Sequence, residues 1–202
     1  PHSSIPSPDG KFLYVSDLGT DKIVIYEVMN GGKLKPAAVP YVQVPAGSGP
    51  RHFKIHQNGN FAYSVDELSN TTVAFKVNKK TGALTIIERL SMLPEGYSEV
   101  TYASDVHFSP DQKFIYATNR GHESLVIYEV NAKTGKLKMI GHESTGGKHP
   151  RNFMISKSGE YVLVGNTNTD NVVIFNRDNK TGLLKPNGVQ YTIPAVSCLI
   201  EL

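Results

Sequence analysis

Short runs of apolar residues alternate with polar turn segments along the whole chain, and the runs recur. Phe12-Leu13-Tyr14-Val15, Phe61-Ala62-Tyr63-Ser64, Phe114-Ile115-Tyr116-Ala117 and Tyr161-Val162-Leu163-Val164 each follow a similar turn. The turns are Ser7-Pro8-Asp9-Gly10, His56-Gln57-Asn58-Gly59, Ser109-Pro110-Asp111-Gln112 and Ser156-Lys157-Ser158-Gly159. Aromatic and β-branched runs bounded by such turns predict strands. Asp/Asn-Gly turns predict hairpins, because these residues tolerate positive φ. Downstream, Ile23-Val24-Ile25-Tyr26, Thr72-Val73-Ala74-Phe75, Leu125-Val126-Ile127-Tyr128 and Val172-Val173-Ile174-Phe175 are nearly continuously apolar. That pattern predicts strands covered on both faces. Gly31-Gly32, Thr81-Gly82, Thr134-Gly135 and Thr181-Gly182 then introduce a fourth strand, such as Leu84-Thr85-Ile86-Ile87.

The unit repeats at intervals of roughly 50 residues, and four antiparallel strands at that period are the pattern of β-propeller blades. One blade cannot cover its own two faces, so its neighbours must. The predicted fold is all-β, with blades at 1–48, 49–102, 103–148 and 149–194. Ala195 to Ile200 reads as one more innermost strand, which assigns 195–202 as a closing inner strand. Four complete blades plus one inner strand imply a larger ring. A self-contained four-bladed ring competes with this, but leaves the last strand unexplained.

Composition narrows the chemistry. With 202 residues, 39% of them hydrophobic, the chain can bury one substantial core, and its 18 Gly and 12 Pro suit many tight turns. The net charge of +3 comes from scattered lysines, with no basic block. Nucleic acid and membrane surfaces are therefore not expected partners, while a local positive field for a small anion is. The lone Cys198 excludes an internal disulfide, fits a cytoplasmic protein and is expected to pack as a small apolar residue. No apolar run approaches membrane-spanning length, and no signal peptide is recognisable. The chain opens at Pro1 inside a patterned segment, which predicts a processed or truncated start.

Function is sought where the copies differ on a shared frame. One slot at the start of the inner strand carries His2, Arg51, Ser104 and Arg151, and the next carries Ser3, His52, Asp105 and Asn152. After the second strand stand Leu18, Glu67, Arg120 and Thr167. In an antiparallel pair these positions lie at the same end of a blade. His2, Arg51, Glu67, Arg120 and Arg151 are thus expected near one mouth of a central channel.

The motifs Pro1-His2-Ser3-Ser4, Gly49-Pro50-Arg51-His52, Asp66-Glu67-Leu68, Met92-Leu93-Pro94-Glu95, Ser104-Asp105-Val106-His107, Asn119-Arg120-Gly121 and His149-Pro150-Arg151-Asn152 resemble the seven-bladed propeller lactonase family. Its best-known activity is 6-phosphogluconolactonase. The resemblance runs along nearly the whole chain and implies about three further N-terminal blades completing a seven-bladed ring. It implies hydrolysis of 6-phospho-D-glucono-1,5-lactone to 6-phosphogluconate, in the pentose phosphate pathway. The positions matching His2, Arg51, Glu67 and Arg120 are those implicated in the family's lactone-forming branch.

Lactone opening needs a base for water and donors for the oxyanion. Glu67 is the expected base, with His2 or His107 as rivals. Arg51 and Arg120 are expected to bind the oxyanion or carboxylate, and Arg151 the phosphate. Asp105 could orient a histidine or arginine, or simply cap a turn. Arg51 and Glu67 also fit a structural ion pair. His52 is a candidate substrate contact that fits a core role as well, and His56 fits a turn. The longer segment from Met92 to Tyr102 is expected as a lip, with Tyr97 towards ligand, or as a plain surface loop.

A serine-hydrolase elbow, a P-loop, a dinucleotide fingerprint and zinc-ligand spacing are all missing. The reading is therefore metal-independent hydrolysis of a small lactone without a cofactor. A muconate-type lactonizing enzyme (cycloisomerase) and a non-enzymatic binding propeller stand as alternatives.

Overall fold

The computed structural model describes residues 1–201. Its strands form four antiparallel sheets of four, each in simple sequence order. The first contains β1 (Ser3–Pro6), β2 (Phe12–Asp17), β3 (Lys22–Val28) and β4 (Leu34–Gln43). The second contains β5 (Pro50–Ile55), β6 (Phe61–Asp66), β7 (Thr71–Val77) and β8 (Leu84–Ser91). The third contains β9 (Tyr102–Phe108), β10 (Phe114–Arg120), β11 (Ser124–Val130) and β12 (Leu137–Ser144). The fourth contains β13 (Pro150–Ile155), β14 (Tyr161–Asn166), β15 (Asn171–Arg177) and β16 (Leu184–Thr192). Each sheet is a propeller blade. No helix is long and apolar enough to cross a membrane among the described residues.

The chain divides into two compact units. The first is Pro1–Ser91 with Lys133–Lys136, and the second is Met92–Ala132 with the residues from Leu137 on. Each has its own apolar core. Tyr14, Ile23, Ile25, Phe53, Val73 and Phe75 centre the first, while Tyr116, Leu125, Ile127, Phe153, Val164 and Phe175 centre the second. Of the continuous apolar runs, those in β7 and β11 are covered on both faces, while those in β3 and β15, in the first and last sheets, leave Val24, Tyr26 and Ile174 only partly buried. Every residue of β6 and β10 is buried, and β7 and β11 expose only Lys76 and Glu129.

A repeated latch joins the second strand of a blade to a Thr-Gly hairpin. Tyr14, Tyr63 and Tyr116 donate their hydroxyls to the carbonyls of Gly82 (2.9 Å), Gly135 (2.9 Å) and Gly182 (2.6 Å). Phe12, Phe61 and Phe114 lie flat against the same glycines, in the space that a Cβ would take. Burial pushes the Tyr14 and Tyr116 phenols up to about 12, so both remain donors across the physiological range.

Two expectations are corrected here. Ala195 to Ile200 carries no strand ladder; its polar backbone groups bond to side chains instead. Asp170 accepts from Ala195 N (2.7 Å), Thr167 Oγ1 donates to Val196 O (2.8 Å), and Asn152 accepts from Leu199 N (2.7 Å). A strand needs a hydrogen-bonded neighbouring backbone, and no described backbone pairs with this segment in a ladder. Cys198 is exposed rather than packed; Val196 is the residue of this segment that is buried, seated against Gly165.

Candidate active site

The site begins with a turn residue. Asp21, Asn70, Glu123 and Asp170 occupy the same place between second and third strands, each with φ between 51° and 56°. Asp21, Glu123 and Asp170 use the side chain to hold the chain entering the next repeat. Asp21 accepts from Gly47 N (2.8 Å) and Gly49 N (2.7 Å), Glu123 from His149 N (2.7 Å), and Asp170 from Ala195 N. The amides of Gly49 and Gly47 hold the Asp21 carboxyl below the usual range, so this clamp stays ionised. Gly49 itself adopts φ 67° where a Cβ would strike Leu68. Its carbonyl then accepts from Glu67 N (2.7 Å), and Ser48 O accepts from Leu68 N (3.0 Å). The loop before β5 and the loop after β6 are thereby zipped together, which brings Arg51 and Glu67 side by side.

Arg51 sits at a β-bulge. Pro50 pairs with Asp66 and His52 with Val65, so Arg51 is an extra residue with no opposite number. A bulge re-aims the side chain it carries, and here it turns a guanidinium inward, only 2% exposed. Arg51 Nε lies 2.8 Å from Glu67 Oε2, and the Glu67 side chain is 19% exposed. The two side chains form a close ion pair. His52 Nε2 lies 3.5 Å from Arg51 Nη1, and the His2 and His52 rings are 5.0 Å apart. Ser3 Oγ donates to Arg51 O (2.8 Å). His2, Arg51, His52 and Glu67 are thus one cluster in the first unit. His52, half-buried, belongs to it rather than to the apolar core. His56 takes its turn role, accepting from Asn58 N at 3.1 Å.

Beneath the cluster lies a group whose role the sequence did not disclose. Asp66 is fully buried, accepts from Ser64 Oγ (3.0 Å) and has Arg89 Nη2 at 3.9 Å. Burial pushes its carboxyl up to about 6, against the pull of Ser64 and Arg89. A carboxyl raised in the fold favours the native state when protonated. Its contribution is present at low pH and is lost as pH rises from about 4 to about 6. The same place holds Asn119 and Asn166 in later repeats. Asp66→Asn is therefore expected to raise stability at pH 7.5 by about 2 kcal/mol and to change little below pH ~4. Urea midpoints at the two pH values check this.

The second unit gathers a different set. Asp105, 1% exposed on β9, is a hub. Its Oδ2 accepts from Asn152 Nδ2 (2.6 Å), His107 Nε2 (2.9 Å) and Phe153 N (3.3 Å), and its Oδ1 from Val106 N (2.9 Å). Asp105 thus orients a histidine, one of the two roles considered for it. His107 is 28% exposed and edge-on to Phe153. Arg120 closes β10 and is mostly buried; its Nη2 donates to Ala103 O (3.0 Å) and its guanidinium lies over Tyr102. Arg151 stands at the bulge of β13, matching Arg51, but is exposed. Tyr97 donates to Gly121 O (3.2 Å) and meets His122 edge-on, so the Met92 to Tyr102 segment lies against the turn after Arg120. Met92 is buried and its carbonyl contacts His142 Nε2 at 2.8 Å, which anchors that segment. No three His, Cys, Asp or Glu side chains are grouped to hold a metal ion among the described residues.

The repeated blade and its variable slots are those of a known class. The chain belongs to the lactonase family of seven-bladed β-propellers, whose family model (Lactonase, 7-bladed beta-propeller) matches residues 1–200. It is 42% identical over 192 residues to the 6-phosphogluconolactonase of Formosa agariphila, covering 91% of this chain and 52% of that protein. It is 31% identical over 193 residues to the 6-phosphogluconolactonase of Bacillus subtilis, covering 96% and 54%. The periplasmic gluconolactonase of Pseudomonas aeruginosa superimposes with a TM-score of 0.92 at 33% identity, over 96% of this chain and 54% of that one. The chain spans about half the length of the curated relatives it matches.

Proposed function

We propose that this protein hydrolyses a sugar lactone, 6-phospho-D-glucono-1,5-lactone, to 6-phosphogluconate. The observation that carries the reading is the Arg51–Glu67 pair, 2.8 Å apart and flanked by His52 and His2. A carboxylate held against a guanidinium at a partly open position can take a proton from water as that water attacks the lactone carbonyl. Arg51 then stabilises the oxyanion, which grows where a cation and N–H donors already wait. Collapse breaks the bond between the carbonyl carbon and the ring oxygen. The ring oxygen takes the proton that Glu67 removed from water and leaves as a hydroxyl, and the new carboxylic acid releases its own proton to solvent to give the carboxylate. Within the second unit, the mostly buried Arg120 is suited to an anionic group and the exposed Arg151 to a phosphate. Relatives named 6-phosphogluconolactonase support the substrate class. A phosphorylated sugar would be met in the cytoplasm.

A second reading of the base rests on one contact. Asp105 holds His107 by Nε2 and leaves Nδ1 as the basic nitrogen, an arrangement suited to proton transfer. His107→Asn separates it from the Glu67 assignment.

The test is turnover of freshly made lactone by the protein, above the spontaneous rate in the same buffer. Phosphorylated and unphosphorylated gluconolactone are compared side by side. Arg151→Ala is expected to raise KM roughly tenfold for the phosphorylated substrate alone. Equal losses on both substrates overturn the phosphate role. Turnover of a muconolactone but not a sugar lactone points to the lactonizing branch, and no turnover of any lactone points to a binding propeller.

A further inference from the structure

The two units contain the same slot, filled in one and open in the other. In the second unit, Arg177 at the end of β15 reaches across to the preceding blade. Its Nε donates to Tyr116 Oη (2.7 Å), and Nη1 donates to Gly159 O (3.0 Å) and to Asn179 Oδ1. Nη2 lies 3.6 Å from Asp111 Oδ1, and the guanidinium stacks over Phe114, 5.4 Å from its centroid. The side chain is 2% exposed. A guanidinium is thus the chemistry that this slot accepts: a carboxylate, a phenol oxygen and a carbonyl around it, with an aromatic face beneath.

The repeat carries the carboxylate, phenol, carbonyl and aromatic face into the first unit, but not the guanidinium or the Asn179 amide. Asp9, Phe12, Tyr14 and Gly59 stand where Asp111, Phe114, Tyr116 and Gly159 stand, and Val77 replaces Arg177. Where the arginine would run there is a cavity of about 260 Å³, lined by Asp9, Phe12, Tyr14, Gly59, Val77 and Lys79. Asp9 is held ionised by the Ser7 hydroxyl, which donates to it at 2.7 Å. It also meets Lys11 Nζ at 3.2 Å, as Asp111 meets Lys113 at 3.8 Å while still receiving Arg177. Lys79 takes the place of Asn179, its stem against Gly59, so a cation at the mouth stands where the second unit has an amide acceptor.

We propose that this cavity is a binding site for a small alkylguanidinium ligand, whose cationic head takes the place that Arg177 fills in the other unit. Its chain would run along Val77 and Ile55, which line the same wall. The size of the cavity suits a free small molecule rather than a folded segment. The site is built from the turn at Ser7–Gly10, at the end of β2 opposite to the Asp17 end, so it is separate from the Arg51–Glu67 cluster.

The probe is ethylguanidinium, titrated at low millimolar concentration and followed by amide NMR shifts, with ethylammonium as the control. Wild-type protein should show saturable shifts at Gly59, Tyr14 and Val77 with ethylguanidinium and much weaker ones with ethylammonium. Val77→Arg should abolish them by filling the slot from within. Lys79→Asn should tighten binding several-fold, by removing the competing cation and restoring the amide acceptor. Absent or non-saturable shifts in wild type, equal response to the two cations, or binding undiminished in a folded Val77→Arg protein would overturn the proposal. If Val77→Arg fails to fold, Lys79→Asn decides alone: unchanged or weakened binding overturns it.

Discussion

Arg51→Ala is expected to lower lactone turnover by about 10²–10³-fold, the usual loss when one preorganised oxyanion donor is removed. The loss should fall mainly on kcat, because the guanidinium is proposed to meet charge that grows only in the transition state. Arg51→Lys should recover little. A bulge fixes this side chain's direction, and a lysine ammonium lacks the fork that can face Glu67 and a substrate oxygen together. The two partners also act as a unit. Removing Arg51 leaves the Glu67 carboxylate without the cation at 2.8 Å, and removing Glu67 leaves a cation with a 3% exposed side chain short of its counter-charge. The double variant should therefore be far less damaged than the product of the single losses predicts. Multiplicative losses in the rate assay would show that the pair does not work as one device.

Gly82→Ala is expected to cost about 3 kcal/mol of stability. Gly82 has φ 73°, where an alanine loses roughly 1–2 kcal/mol. Its Cβ would also lie 2.5 Å from the Phe12 ring, and relieving such an overlap costs a further ~1–3 kcal/mol. The Tyr14 hydroxyl bond to Gly82 O would move with it. Gly10→Ala is the internal control, since Gly10 has φ 70° and nothing within 4 Å of the added carbon. It should show only the strain part, about 1 kcal/mol. Phe12→Leu placed on Gly82→Ala should restore part of the loss. Urea unfolding of all four proteins reads these differences, and equal costs at Gly10 and Gly82 would contradict the packing account.

The blades were legible because a repeat states its own grammar several times. Asp-Gly and Thr-Gly turns, Phe-x-Tyr strands and continuous apolar runs recur in register, and each chooses its strand for a local reason. The slots at Arg51, Glu67 and Asp105 were legible too, since residues that differ on a constant frame stand out. The bulge that turns Arg51 towards Glu67 was not, because a bulge is a mismatch between two strands and neither strand carries it alone. His52 was hard to place for a similar reason: its neighbour His2 comes from a different blade. Asp66 was visible as a motif residue, but only burial reveals its raised carboxyl. The segment from Ala195 to Ile200 reads as a strand by composition, yet a ladder needs a partner that composition cannot supply. The contrast between Val77 and Arg177 lies open in the aligned repeats, but its meaning depends on seeing what the arginine touches.

Glu67 is proposed to drive the opening of a sugar lactone. This role is tested most directly by following loss of fresh 6-phospho-D-glucono-1,5-lactone in buffer, with wild-type protein and with Glu67→Gln, from one substrate preparation. Wild-type loss is expected far above the spontaneous rate, with the variant slowed by about 10²–10⁴-fold. Wild-type loss no faster than buffer, or a folded Glu67→Gln protein as fast as wild type, would contradict it.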